Sequence, residues 1–294
     1  MGKSSKIKKI INKSDSNDQS SKNPADLKTT FVTNLLRDPI SLKEIDALYF
    51  KDMAVNIENN DQLKRELSAY FGLSFQKIYD YAKLLEANCA QFGLLGPNEK
   101  PKIWERHIAN SASLINQFTI SYYTGVFQRG FTGKINALNF EPPSSFVADI
   151  GSGAGLPGIV LAIMLENIPD YKNYTVDLIE PMGKRAEWLN YVVHELDLKN
   201  VRVFNNRIQD FPPQPGYNVV ISRAVAKLDE LINMSAPIMH SKGTMMFLKG
   251  DSVESEIELA KPQIDYFKLI DVRVAESQVA STFEKSKVFL AEMP

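Results

Sequence analysis

The segment Phe146-Val-Ala-Asp-Ile-Gly-Ser-Gly-Ala-Gly-Leu-Pro-Gly158 constrains the fold more than any other part of the chain. An apolar run reaches Asp149, three alternating glycines follow, and beyond Pro157 a second apolar run carries Ile159, Leu161, Ala162 and Leu165. This order predicts a strand, a loop whose bare backbone approaches a ligand, and a helix with proline in its first turn.

Gly153-Ala-Gly-Leu-Pro-Gly158 also satisfies Gly-x-Gly-x-x-Gly, the spacing of a dinucleotide site. Both readings expect an acidic residue at the end of the next strand to hold ribose hydroxyls, and Tyr174-Thr-Val-Asp-Leu-Ile-Glu180 supplies Glu180 there. Glu180 therefore does not discriminate between them. Asp149, directly before the loop, does. A carboxylate there repels a pyrophosphate, whereas a cofactor without one depends less on the helix N-terminus. The loop has the pattern of an S-adenosylmethionine site, with a nicotinamide or flavin enzyme as the alternative at this stage.

The order of the remaining elements bears on that choice. Strands are predicted at 146–150, 175–180, 201–205, 217–222, 243–249, 267–274 and 286–291, and helices near 157–167, 184–197, 227–240 and 252–264. Five parallel strands joined by helices, then two strands with little between them, make a seven-stranded Rossmann-like α/β sheet whose last strand enters antiparallel. A dinucleotide domain more often has six parallel strands, so the count favours methyl transfer.

Upstream, 1–40 reads as a flexible basic arm with lysines at 3, 6, 8, 9 and 13, and 41–123 as a helical region. Leu63, Leu67 and Tyr70, then Ile78, Tyr81, Leu85, Cys89 and Phe92, recur at helical spacing and mark core-facing stripes. A linker of Gly, Thr, Asn and Pro, 124–145, leads into the methyltransferase domain, 146–294. With 294 residues, 44% hydrophobic and 23% charged, the chain suggests about two globular units. Its single cysteine, Cys89, excludes an intramolecular disulfide or a cysteine-based zinc cluster, and His107, His194 and His240 lack metal-ligand spacing, so no metal is expected. The sequence has no apolar run of about 20 residues and no signal-peptide core after the first lysines, so a cytoplasmic protein without membrane contact is expected.

The glycine loop with Leu156-Pro-Gly158, Gly183-Lys-Arg-Ala-Glu-Trp-Leu189, Asn206-Arg-Ile-Gln209, Val220-Ile-Ser-Arg-Ala224 and Leu248-Lys-Gly250 resemble, in order, the small-subunit ribosomal RNA guanine-N7 methyltransferase family, also called glucose-inhibited division protein B. Trp104-Glu-Arg-His-Ile-Ala-Asn-Ser111 is similar to that family's Arg-His-Ile-x-Asp-Ser segment. The resemblance implies an enzyme that moves a methyl group from S-adenosylmethionine to N7 of a guanine in small-subunit (16S) ribosomal RNA, free or in a subunit particle. It implies that Gly151 and Leu156 line the methionine and ribose side of the cofactor site, that Ile208 and Gln209 meet the adenine, and that Arg223 faces the reacting groups. Gln209 replaces the acidic residue usual there, and Asn110 replaces an aspartate.

With Gly153 and Glu180, those residues complete the expected cofactor site. No general base is expected, because guanine N7 carries a free lone pair at neutral pH; His107 is expected to be structural and Asp149 to brace the loop. The RNA-binding candidates are Arg106, Lys184, Arg185, Arg207, Arg223 and Lys249, several of them at strand C-terminal ends, where an open sheet binds its ligands. A net charge of -1 excludes an indiscriminate RNA binder with a strong global field.

Overall fold

The computed structural model describes residues 61–117, 145–168, 171, 173–210, 216–280 and 283–294. The arm 1–40, the helical region up to residue 60 and the linker to residue 144 lie outside the described residues, as does Leu63's side chain.

Seven strands form one sheet: β1 (Ser145–Ile150), β2 (Tyr174–Ile179), β3 (Val201–Phe204), β4 (Tyr217–Arg223), β5 (Met239–Lys249), β6 (Ile270–Ser277) and β7 (Ser286–Glu292). Their order is β3-β2-β1-β4-β5-β7-β6. The first five are parallel, and β7 enters antiparallel to both β5 and β6, as the element order predicts. The central strands are buried along nearly their whole length, which near-continuous runs such as Val219-Val-Ile221 require. The order reverses between β1 and β4, and an α/β sheet opens a crevice beyond its strand ends at such a point.

Upstream lie α1 (Asp61–Phe71) and α2 (Phe75–Phe92), then a π-helical segment, Ile103–Ala109, that runs into a single α-turn, Asn110–Ala112. After β1 comes α3 (Gly158–Leu165), every residue of which is buried. A helix apolar all round needs cover on every side. The sheet covers one side of α3; α2 and the Asn110–Ala112 turn cover the other. One hydrophobic cluster therefore runs from Leu67, Ile78 and Leu85 through Ile159–Leu165 to Leu178 and Leu290, so the upstream helices share the sheet's core. Ser74 Oγ donates to the Ile163 carbonyl at 3.1 Å and Lys77 pairs with Glu166 at 2.5 Å across the same contact. The predicted stripe is buried at Ile78, Tyr81, Leu85 and Cys89 and half-buried at Phe92.

Beyond β2 come α4 (Gly183–Glu195), α5 (Leu228–Ser235), α6 (Val253–Leu259) and α7 (Lys261–Phe267). Two predicted helices are cut short, both near proline. The helix expected over 227–240 stops at Ser235, because Ala236-Pro237 starts a 3-10 turn and β5 begins at Met239. The helix expected over 252–264 breaks at Ala260, and Pro262 sits in the first turn of α7. Lys268, left-handed at φ 55°, then ends α7, so β6 starts at Ile270 rather than 267. Among the described residues no helix is long and apolar enough to cross a membrane.

Candidate functional site

The glycine loop leaves β1 at Ile150 and reaches α3 through Gly151, Gly153 and Gly155, all with positive φ (67°, 55° and 97°). At Gly151 the turn is also crowded: a Cβ would stand 2.6 Å from a methyl of Val225. Gly158 answers a different need, since a Cβ there would meet Leu178 at 2.4 Å and the Asp149 carboxylate at 2.5 Å. That close approach lets the Gly158 N–H donate to Asp149 Oδ2 at 3.0 Å. Asp149 thus braces the loop, as its position suggests. It is fully buried, its Oδ1 has no partner among the described residues, and burial pushes its carboxyl up to about 7.

Glu180 follows β2 and is 2% exposed. Its Oε2 accepts the Gly153 N–H at 2.8 Å and its Oε1 the Met182 N–H at 2.9 Å. The carboxylate expected to meet ribose hydroxyls therefore also holds the loop. Each of its oxygens keeps a second lone pair with which to accept a hydroxyl.

The loop is held from its other side by residues whose part the sequence pattern does not disclose. Tyr81 Oη on α2 and Trp188 Nε1 on α4 both donate to the Ala154 carbonyl at 2.8 Å. Periodicity assigns Tyr81 to a core stripe, and its ring is indeed buried. The signal for more is chemical: a buried tyrosine or tryptophan usually finds a partner for its O–H or N–H.

Beyond the strand ends lies a cleft of about 590 Å³, a size common for small-molecule sites. It is lined by Ile150, Gly151 and Ile179 at the ends of β1 and β2, by Val225 and Met234, and by Asn206 to Asp210. Ile208 is buried against it, while the amide of Gln209 and the carboxylate of Asp210 are exposed beside it. The structure thus brings Gly151, Ile208 and Gln209 to one cleft. Gly153 and Glu180, bonded to each other, and the buried Leu156 are not among the residues that line it.

Arg223 ends β4, as predicted, but its guanidinium is turned toward the π-helical segment. Nη1 donates to the carbonyls of Arg106 (3.1 Å) and His107 (3.5 Å) and to Asn110 Oδ1 (3.4 Å), and Nη2 lies 2.6 Å from His107 Nδ1. His107 is buried, as a structural histidine would be, and its Nε2 meets Glu99 Oε2 at 3.1 Å. Burial, then the charge of Arg223, hold the imidazole down to about 4.

Of the other cationic candidates, Lys184 and Arg207 are exposed, Arg207 on the rim of the cleft. Arg106 is exposed and paired with Glu99 at 3.0 Å, and Arg185 donates to the Gly93 carbonyl at 3.3 Å. Lys249 departs from its expected part as a cation for RNA. Its side chain is 9% exposed and its ammonium lies 2.5 Å from Glu256 and 3.2 Å from the Ala226 carbonyl. A charge this deep needs an internal partner, and here it braces the turn after β4.

The family model described as rRNA small subunit methyltransferase G (GidB) matches residues 74–283. The chain is similar to proteins named ribosomal RNA small subunit methyltransferase G in Mycolicibacterium smegmatis (37% identical, covering 70% of this chain and 77% of that one). The corresponding figures are 34%, 66% and 70% for the protein of Thermobifida fusca, and 32%, 77% and 93% for that of Clavibacter sepedonicus.

Proposed function

The chain belongs to the GidB family of rRNA small subunit methyltransferase G, and we propose that it methylates N7 of a guanine in small-subunit (16S) ribosomal RNA, with S-adenosylmethionine as donor. The observation that carries this reading is the cleft at the β1–β4 reversal, closed on one side by a glycine loop too tight at Gly151 for any side chain. The residues present fit that donor. Ile150, Ile179 and Ile208 offer an apolar slot for a purine, Gln209 and Asp210 offer polar atoms at its edge, and Glu180, buried next to the lining residues Ile179 and Pro181, is the candidate acceptor for ribose hydroxyls.

Bound there, the donor would supply an electrophilic sulfonium methyl to the lone pair of guanine N7, chemistry that requires no proton to be removed. The chain's own residues therefore contribute position rather than acid–base chemistry, and a near-attack geometry with water excluded lowers a barrier by several kcal/mol. Asp149, Glu180, Tyr81 and Trp188 hold the loop rigid for that purpose, and Arg223 stands at the end of β4 as the candidate group for positioning the reactants.

Recognition of RNA is local on this reading, since a net charge of -1 provides no strong overall field. Exposed Lys184, Arg207 and Arg106, with the lysines of 1–40, are the cations for it, and a subunit particle in the cytoplasm is the favoured substrate. The test is methyl incorporation from labelled donor into purified small subunits, followed by mass mapping of the RNA. N7-methylguanine in the small-subunit RNA is expected. Label confined to a small molecule or a protein, or cofactor binding without transfer, would refute the assignment.

A further inference from the structure

A guanidinium has five N–H donors and cannot accept. The Nη1 hydrogens of Arg223 go to the Arg106 and His107 carbonyls and Asn110 Oδ1, and one Nη2 hydrogen goes to His107 Nδ1. Among the described residues nothing accepts from Nε or from the second Nη2 hydrogen. Nor, among those residues, does any carboxylate stand within ion-pair distance of this half-buried cation; its hydrogen-bond partners are two carbonyls, an amide and a neutral ring. One edge of the guanidinium is fixed by protein, and the adjacent Nε–Nη2 edge is a fork of two donors; Asp149 and Glu99 act on its charge only from beyond ion-pair distance.

The ring that fixes it can do so in one tautomer only. Because Arg223 can only donate, His107 Nδ1 must be the acceptor, so the imidazole is neutral and carries its proton on Nε2. That Nε2–H donates to Glu99 Oε2, whose other oxygen takes Arg106. Glu99 therefore selects the tautomer that presents a lone pair to Arg223, and a ring proton moved to Nδ1 would push the guanidinium away.

We infer that Glu99 and His107 are positioning residues that act through Arg223, holding its Nε–Nη2 edge free to grip a planar two-oxygen or purine-edge acceptor in the reacting complex. This rests on the reading of Arg223 as the group that positions the reactants. It assigns to the helical region before the sheet a share in the chemistry beyond covering the core.

The experiment is single-turnover methyl transfer with saturating donor and purified small subunits. It is run beside calorimetric S-adenosylhomocysteine affinity and thermal unfolding on the full chain. His107→Leu is expected to slow transfer by about tenfold or more. His107→Asn, whose Oδ1 can stand where Nδ1 stood, should return to within about threefold of the wild type, because the acceptor and not the ring is what Arg223 needs. Where the leucine variant fails to fold, Glu99→Ala, on a half-exposed side chain, serves instead and should slow transfer by roughly three- to tenfold. In an Arg223→Ala background each of these losses should vanish, since residues acting through one group are not additive. The inference is overturned if His107→Asn is as slow as His107→Leu, which marks a packing role, or if the losses multiply with that of Arg223→Ala. A wild-type rate for Arg223→Ala alone would overturn the underlying reading of Arg223 instead, and that outcome is separate from the other two.

Discussion

Replacing Gly151 by alanine tests the proposed cofactor loop where it lines the cleft. Two costs arise, and they separate. The first is the backbone: φ is 67°, and an L-residue held there costs about 1–2 kcal/mol. The second is space, because the new Cβ would stand 2.6 and 3.0 Å from the two methyls of Val225. Overpacking of that kind costs about 1–3 kcal/mol. Val225 is β-branched, so rotation about χ1 does little to clear both methyls, but it is 40% exposed and can recede only by moving outward. Gly151 and Val225 both line the cleft, so relief by moving Val225 outward takes room from the ligand. The combined loss of about 2–5 kcal/mol should divide between stability and S-adenosylhomocysteine affinity, read by urea unfolding and calorimetry. The double variant Gly151→Ala/Val225→Ala should recover the clash and keep the backbone cost, leaving a deficit of about 1–2 kcal/mol, roughly 5- to 30-fold if it falls on affinity. Full recovery in the double variant would refute the backbone claim. An unchanged single variant would refute both claims and, with them, the loop's place in cofactor binding.

Glu180→Ala leaves the N–H groups of Gly153 and Met182 without their acceptor, so it should cost about 1–3 kcal/mol in affinity for S-adenosylmethionine and S-adenosylhomocysteine alike, by calorimetry. Asp149 and His107 should give opposite pH slopes of stability. The folded state keeps a proton on Asp149 up to about 7 that the unfolded chain has lost, so this group's contribution falls as pH rises from about 4 to 7. His107 titrates at about 4 when folded, so its contribution grows from about 4 to 6.5 and is lost as pH falls through that window. Urea unfolding of Asp149→Asn between about pH 4.5 and 8 should therefore show stability relative to wild type increasing toward neutral pH; parallel curves would contradict the buried carboxyl. Lys249→Met strands Glu256 and should lower stability by about 3 kcal/mol while leaving the salt dependence of RNA binding unchanged; a flatter slope of log affinity against log salt would return Lys249 to the RNA surface.

Much was legible along the chain because the relevant physics is local. The alternation of glycines after Asp149, the apolar run from Gly158 and the spacing of seven strand patterns specify a strand-loop-helix unit in a seven-stranded sheet. The residues at strand ends mark the cleft, and of these Gly151, Ile208 and Gln209 stand together on it. Element ends were less legible: Pro237, Pro262 and left-handed Lys268 move boundaries that apolar periodicity alone runs past. What only the tertiary structure decided is the partner of each polar atom. Tyr81 reaches the Ala154 carbonyl across 73 residues, Arg223 reaches His107 across 116, and the charge on Lys249 is met by Glu256 rather than by solvent. Periodicity states which face of an element is buried, but not which donor meets which acceptor once faces from distant segments close together. A buried polar group must find a partner, and chain folding alone determines which one is within reach.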